Sequence, residues 1–166
     1  NHYTDIDALN VFPVPDGDTG TNMSMTFTAG VKDALTVNSD RVDEVAKKLS
    51  KGLLMGARGN SGVILSQIIR GFSKSIEGKD KINTEDLAKA LKNGSDTAYK
   101  AVIKPIEGTI LTVVRESGEY AIKASKKEKD LLKLLYDGLL FIVSFIVFIS
   151  ISQELSGKLY LISART

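Results

Sequence analysis

Apolar side chains recur every three or four positions through most of this chain, and that spacing limits it to packed helices. They fall at Val42, Val45, Ala46, Leu49 and Leu53, and again at Leu65, Ile68, Ile69, Phe72 and Ile76. A 3.6-residue period puts each set on one face of a helix. A third helix is predicted from about Thr84, with Asn83 or Thr84 as its cap and Glu85 and Asp86 in its first turn. It runs through Leu87, Leu91, Ala98 and Val102, and Pro105 stops it. A fourth is predicted from Thr109, with Ile110, Val113, Val114, Ala121 and Ala124 inward and Glu119 and Lys123 as an outward pair one turn apart. Short joints containing glycine separate these segments, so the expected fold class is all-α. At 166 residues the chain matches one domain, and its size lets it bury roughly 70% of its unfolded surface without staples.

Composition removes several functions. Twenty-two Lys and Arg against 20 Asp and Glu leave a net charge of +2, too balanced for a nucleic-acid surface. The clusters Lys47–Lys48–Lys51 and Lys126–Lys127–Lys129 have acidic neighbours and read as solvated faces. Cysteine is absent, which excludes disulfides and thiolate metal sites and suits the cytoplasm. The chain opens on Asn1 and polar residues, without the pattern of a signal peptide, as a fragment of a longer protein would. Its one histidine, His2, sits at the chain start, so Ser-His-Asp and Cys-His catalysis and histidine metal sites are ruled out. In Gly59–Asn60–Ser61–Gly62–Val63 the closing glycine of a nucleophile elbow is displaced. Neither a P-loop nor a dinucleotide fingerprint is present.

Chemistry concentrates between Asn10 and Asn22. Pro13 and Pro15 hold an extended approach, and Gly17 and Gly20 allow a tight turn before a helix predicted over Asn22–Leu35. In Asp16–Gly17–Asp18 two carboxylates can converge on one point, a hard-oxygen pair suited to Mg²⁺ shared with phosphate oxygens. An EF-hand is excluded, because Gly20 and Phe27 stand where it needs oxygen ligands. The plainer alternative is a turn with Asp18 or Thr19 as helix cap. Thr19–Gly20–Thr21–Asn22 would present free amides and hydroxyls at a helix start, where the dipole favours anions. Gly56–Ala57–Arg58–Gly59–Asn60–Ser61–Gly62 is a second glycine-rich helix start, carrying a cation, or a flexible joint between helices.

Three stretches carry a resemblance: Leu9 to Met23 (LNVFPVPDGDTGTNM), Met55 to Gln67 (MGARGNSGVILSQ) and Lys104 to Val114 (KPIEGTILTVV). Over about residues 1–135 the chain resembles the N-terminal domain of the bacterial fatty acid kinase A subunit, which is similar to the nucleotide-binding L subunit of dihydroxyacetone kinase. The resemblance implies an antiparallel helical barrel that binds ATP and Mg²⁺ at one end. It assigns Asp16 and Asp18 to the metal. Asn10 stands one residue from the place of a third aspartate in the dihydroxyacetone enzyme and is the third expected ligand. Thr19, Gly20, Thr21 and Asn22 match the phosphate-binding helix start. Ala57, Arg58, Gly59, Asn60 and Ser61 match the second glycine-rich turn, and Thr109 and Ile110 the adenine side. No side chain is expected to be a general base. The implied reaction is transfer of the γ-phosphoryl of ATP to a fatty acid held by a DegV-type carrier protein, giving an acyl phosphate. The implied setting is cytoplasmic, with a homodimer of the full-length protein and no nucleic-acid or membrane partner beyond the substrate lipid. The rival is the dihydroxyacetone reaction, against which Thr19 counts, because that enzyme prefers His there. A non-catalytic remnant is the third reading.

The end of the chain departs from this pattern. Gly138 to Gln153 carries no charge, and Phe141 to Ile151 is a nearly unbroken run of Phe, Ile, Val and Ser. That is short of the ~20 residues of a membrane span. The expected division is a helical nucleotide-binding domain over 1–137 and an atypical tail over 138–166, either a buried final element or an altered, out-of-frame terminus that leaves the barrel incomplete.

Overall fold

The periodic stretches are helices in the computed structural model, which describes residues 2–10 and 15–141. In chain order they are α1 (Tyr3–Ala8), α2 (Thr19–Ala34), α3 (Val42–Met55), α4 (Gly59–Ser75), α5 (Thr84–Ala101) and α6 (Ile110–Ala124). Residues 131–141 are also helical, so the helix crosses the expected boundary at 138. Among the described residues there is no strand, and the fold class is all-α as expected. The anomalous run beyond 141 lies outside the described residues.

Local chemistry sets the helix ends. The Asn83 side chain accepts from the Asp86 amide at 2.9 Å, and the Asp86 carboxylate accepts from the Asn83 amide at 3.4 Å, a reciprocal capping box. Thr109 caps α6 by accepting from the Leu111 amide at 3.3 Å. Two starts fall earlier than expected. α2 begins at Thr19 rather than Asn22, and α4 begins at Gly59, so Gly59 to Gly62 form its first turn. Tertiary packing explains both. A methyl group at Gly20 would overlap the Tyr3 carbonyl, and one at Gly62 would overlap the Thr26 hydroxyl. Glycine in these turns admits a neighbouring helix; it does not loosen the backbone.

Neighbours in sequence are neighbours in space. α1 packs on α2, α2 on α3, α3 on α4, α4 on α5 and α5 on α6, while α2 also packs on α4. Successive helices run antiparallel: Gly52 meets Ala29 and Asp33, Gly94 meets Ile68, and Gly118 meets Lys92. The α2–α4 contact bends the row at α3. Its interior is lined with small residues, with Ala88, Ala90, Ala98, Ser66 and Ser95 all at 0% exposure. Leu53 and Ile76 are the largest fully buried side chains; Ile76 joins Ala46 and Ala90, with Val42, Phe72 and Ile82 around them. Truncating either to Ala would cost about 2–5 kcal/mol. On the surface, Glu119 lies 3.7 Å from Arg115, one turn earlier, where a Lys123 partner was expected.

Alternation of direction places the starts of α2, α4 and α6 at one end of the molecule, together with the ends of α3 and α5. No helix among the described residues is long and apolar enough to cross a membrane.

Candidate functional site

The site is built where the first turns of α2 and α4 lie side by side. Thr26, at 0% exposure, donates its hydroxyl to the Asn22 carbonyl at 2.7 Å and accepts from the Arg58 amide at 3.1 Å. Ser61 adds a longer bond to the Thr19 carbonyl at 3.5 Å. Gly59 holds φ at 57°, a left-handed value that favours glycine, and a side chain there would strike the Asn22 amide. The two glycine-rich segments, 34 or more positions apart in the chain, thus form one surface. Arg58 is the N-cap residue of α4, and its exposed side chain adds positive charge beside the helix start. Ala57 and Asn60 lie in the same turn.

The acidic bend leads into this surface. Gly17 holds φ at 64°, which turns the chain between Asp16 and Asp18. Asp18 is the N-cap residue of α2, yet its side chain makes no capping bond; its carbonyl accepts from the Asn22 amide at 2.9 Å. The Asp18 carboxylate therefore has no capping duty. Asn10 donates its side-chain amide to Asp16 Oδ1 at 2.5 Å, which brings together two of the three expected metal ligands. Among the described residues no three Asp, Glu, His or Cys side chains gather as a metal set. The available donors are two carboxylates and an amide oxygen, all hard oxygens. That set fits Mg²⁺, which commonly takes one or two carboxylates and completes its shell with water and phosphate oxygens.

Sequence reading did not single out Asp7, and the structure puts it in the site. Its carboxylate accepts from the Thr21 amide at 3.0 Å and from the Thr21 hydroxyl at 2.6 Å. These bonds, the hydroxyl's foremost, hold the Asp7 carboxyl below its ordinary range. Both Thr21 donors are thus engaged by the protein itself. Asp7 was hard to find because α1 has six residues, too few for a periodic signal, and an acid nine positions before the bend resembles any surface aspartate.

Thr109 and Ile110 open α6 at the same end. Thr109 donates its hydroxyl to the Ile106 carbonyl at 2.7 Å. The preceding loop is held by Glu107, which accepts from Thr112 at 2.6 Å, Tyr99 at 3.1 Å and Arg115 at 3.2 Å. Those partners, Thr112 first, keep the Glu107 carboxyl below its usual value, and the Tyr99 hydroxyl and Glu107 push Arg115 upward. No hydrogen bond among the described residues joins this loop to the starts of α2 and α4. A shallow groove between α3 and α4, lined by Asp43, Lys47, Lys51, Arg70, Lys74 and Glu77, faces the opposite end and holds none of the expected site residues.

The sequence profile of the DAK2 domain matches residues 13–138. The chain belongs to the DAK2 domain family. This is the nucleotide-binding, kinase-associated family of the dihydroxyacetone kinase type, so the DAK2 domain and the paired helix starts described above coincide in the chain. Protein YloV of Bacillus subtilis is 57% identical over 130 residues, 78% of this chain and 24% of the relative. An uncharacterized protein of Staphylococcus saprophyticus is 55% identical over 136 residues, 81% of this chain and 24% of the relative. One of Staphylococcus aureus is 53% identical over 130 residues, with 78% and 24% covered. The DAK2 domain described here spans about a quarter of the length of these curated relatives.

Proposed function

We propose that this DAK2 domain binds ATP with Mg²⁺ and serves a kinase that phosphorylates a fatty acid presented by a DegV-type carrier protein. The observation that carries the nucleotide part is the Thr26 bridge, which sets the Arg58 turn beside the first turn of α2, the helix that follows the acidic bend. Asp16, Asp18 and the Asn10 amide would hold the cation, and it would neutralise charge on the phosphates. The Arg58 guanidinium and the first-turn amides of α4 would face the phosphate oxygens. The loop before α6, held by Glu107, would lie toward the base.

A fatty-acid carboxylate suits such a site because it is already an anion at neutral pH. One of its oxygens forms the new bond to the γ-phosphorus, the bond from that phosphorus to the β–γ bridging oxygen breaks, and ADP leaves with the electron pair. No proton has to be removed, so the reaction asks for positioning and not for a base. This matches a site whose nearest histidine is the exposed His2. A hydroxyl acceptor such as dihydroxyacetone would need help with its proton, and Thr19 stands where the resemblance places a histidine in that enzyme.

Calorimetric titration with ATP, with and without Mg²⁺, tests the binding part. Binding should require the metal, and Asp16→Ala and Asp18→Ala should each lower the affinity by more than about 100-fold, since even partners one shell further out commonly cost 10–100-fold. Their melting temperatures should stay near that of the parent, because Asp18 makes no capping bond, Asp16 makes only an exposed one to Asn10, and surface changes of this kind shift stability by about 0.5 kcal/mol or less. Unchanged affinity in both variants would remove the site. The acceptor is tested with the full-length protein and its carrier by mass detection of acyl phosphate against phosphorylated dihydroxyacetone.

A further inference from the structure

We propose that Asp7 is a positioning residue for the nucleotide site: it staples the base of the metal-bearing loop and takes up the first turn of α2, so that phosphate falls to α4. The inference rests on the ATP·Mg²⁺ reading above and assigns the work within that site.

The geometry has three parts. Asp7 lies in the last turn of α1 and Thr21 in the first turn of α2. The loop carrying Asn10, Asp16 and Asp18 runs between them. Two hydrogen bonds from one carboxylate to the amide and hydroxyl of one residue, at 3.0 and 2.6 Å, close that loop at its base. A carboxylate accepting such bonds is shorter-bonded and stronger than a neutral acceptor. Second, α1 is seated tightly on α2, because a side chain at Gly20 would overlap the Tyr3 carbonyl and crowd the Ile6 Cβ. Third, the Gly17 turn lies near α1: a methyl group added at Gly17 would come to 3.8 Å from the Asp7 carbonyl. Asp7 therefore ties α1 to the start of α2 through its side chain, and the Gly17 turn passes beside its carbonyl.

A consequence follows for the anion. The amide donors at a helix start are the group that would attract phosphate. In α2 the Thr21 amide goes to Asp7 and the Asn22 amide goes to the Asp18 carbonyl. A negative charge already sits at that dipole. Among the described residues, Arg58 and the start of α4 carry no such carboxylate among their bonds. Asp7 thus does for α2 what a phosphate would do, and holds it in the shape that aims Asp16 and Asp18.

The opposite possibility makes the opposite prediction. If Asp7 merely blocked a phosphate subsite, its removal would tighten ATP binding. The experiment compares Asp7→Ala, Asp7→Asn, Thr21→Ala and the Asp7→Ala/Thr21→Ala pair, by ATP titration at fixed Mg²⁺ and by Mn²⁺ titration without nucleotide, followed by electron paramagnetic resonance. Asp7→Ala should weaken Mn²⁺ and ATP·Mg²⁺ binding by roughly 10–100-fold, as loss of an orienting partner does. Asp7→Asn, which keeps one acceptor, should recover part of it. The double variant should be no weaker than the worse single one, because both members of one bond are gone. Additive losses, unchanged binding or tighter binding in Asp7→Ala would each overturn the proposal.

Hydrogen exchange of the free protein supplies a readout independent of ligand. The Thr21 amide should exchange slowly in the parent and much faster in Asp7→Ala, with α5 amides unchanged; equal rates would overturn the staple. Parent protein that shows this protection yet binds no ATP with Mg²⁺ would remove the nucleotide reading, and with it the positioning role, while the exchange result identified which of the two had failed.

Discussion

The Arg58 amide donates to the Thr26 hydroxyl at 3.1 Å across 32 positions of sequence, and this bond joins the two helix starts. Thr26 is fully buried and its own proton goes to the Asn22 carbonyl. A single hydroxyl is thus acceptor for α4 and donor for α2. Thr26→Val keeps the shape and removes both bonds, leaving the Arg58 amide without its partner. The expected loss is about 1–3 kcal/mol in urea unfolding, the cost of an unsatisfied buried group. ATP·Mg²⁺ affinity should fall as well, and Thr26→Ser should restore both. Equal stability of the Val and Ser variants would show that the bond does not hold the turn.

Gly59 and Gly78 both have positive φ, at 57° and 83°, but only Gly59 has a neighbour in the way. A methyl at Gly59 meets the Asn22 amide, whereas one at Gly78 meets nothing within 4 Å. Gly78→Ala should therefore cost only the left-handed backbone penalty of about 1–2 kcal/mol and leave nucleotide binding alone. Gly59→Ala should cost more and disturb binding, because Asn22 and the α4 turn must move apart. Parallel urea curves and ATP titrations check the contrast; identical losses would mean that the α2–α4 spacing at Gly59 is slack.

Arg58 offers a charge test. It occupies the N-cap position of α4, but its exposed side chain makes no capping bond, so it contributes nothing evident to packing. Arg58→Met should leave the melting temperature unchanged and lower ATP·Mg²⁺ affinity by about tenfold, the scale of one charged hydrogen bond to phosphate. Arg58→Lys should lie between, since an ammonium cannot grip two oxygens at once. The affinity of the parent should also fall more steeply with salt than that of Arg58→Met.

The long amphipathic helices were legible because α3 to α6 each bury one stripe, and the caps Asn83 and Thr109 are residues whose side chains compete for amides. The glycine-rich starts were read as candidate sites but given the wrong local structure. Gly20 and Gly62 look like loop residues until another helix is seen pressed against them. The acidic bend was legible from Asp16–Gly17–Asp18 alone. Asp7 was not, because its role depends on a partner 14 positions away. Nor was the Arg115 cluster: its partners Tyr99, Glu107, Glu116 and Glu119 come from two helices and a loop, and no periodicity links them.

Acid should loosen the loop before α6 first through Glu107. Its carboxyl is held below the ordinary glutamate value of 4.5 by the Thr112 hydroxyl, with Tyr99 and Arg115 behind it. A carboxylate depressed on folding binds fewer protons in the folded state than in the unfolded one, so its stabilising effect is complete above the ordinary value. It is lost as pH falls through the lower, folded value. Asp86, lowered chiefly by Lys79, and Asp43, lowered chiefly by Arg41, act in the same direction. The melting temperature should therefore be level between about pH 7 and pH 5 and decline below about pH 4. Glu107→Gln cannot be ionised, so it should melt below the parent at neutral pH, and the gap should close on acidification. A constant gap from neutral to acid pH would show that the carboxylate charge contributes nothing and that only the shape of the side chain matters there.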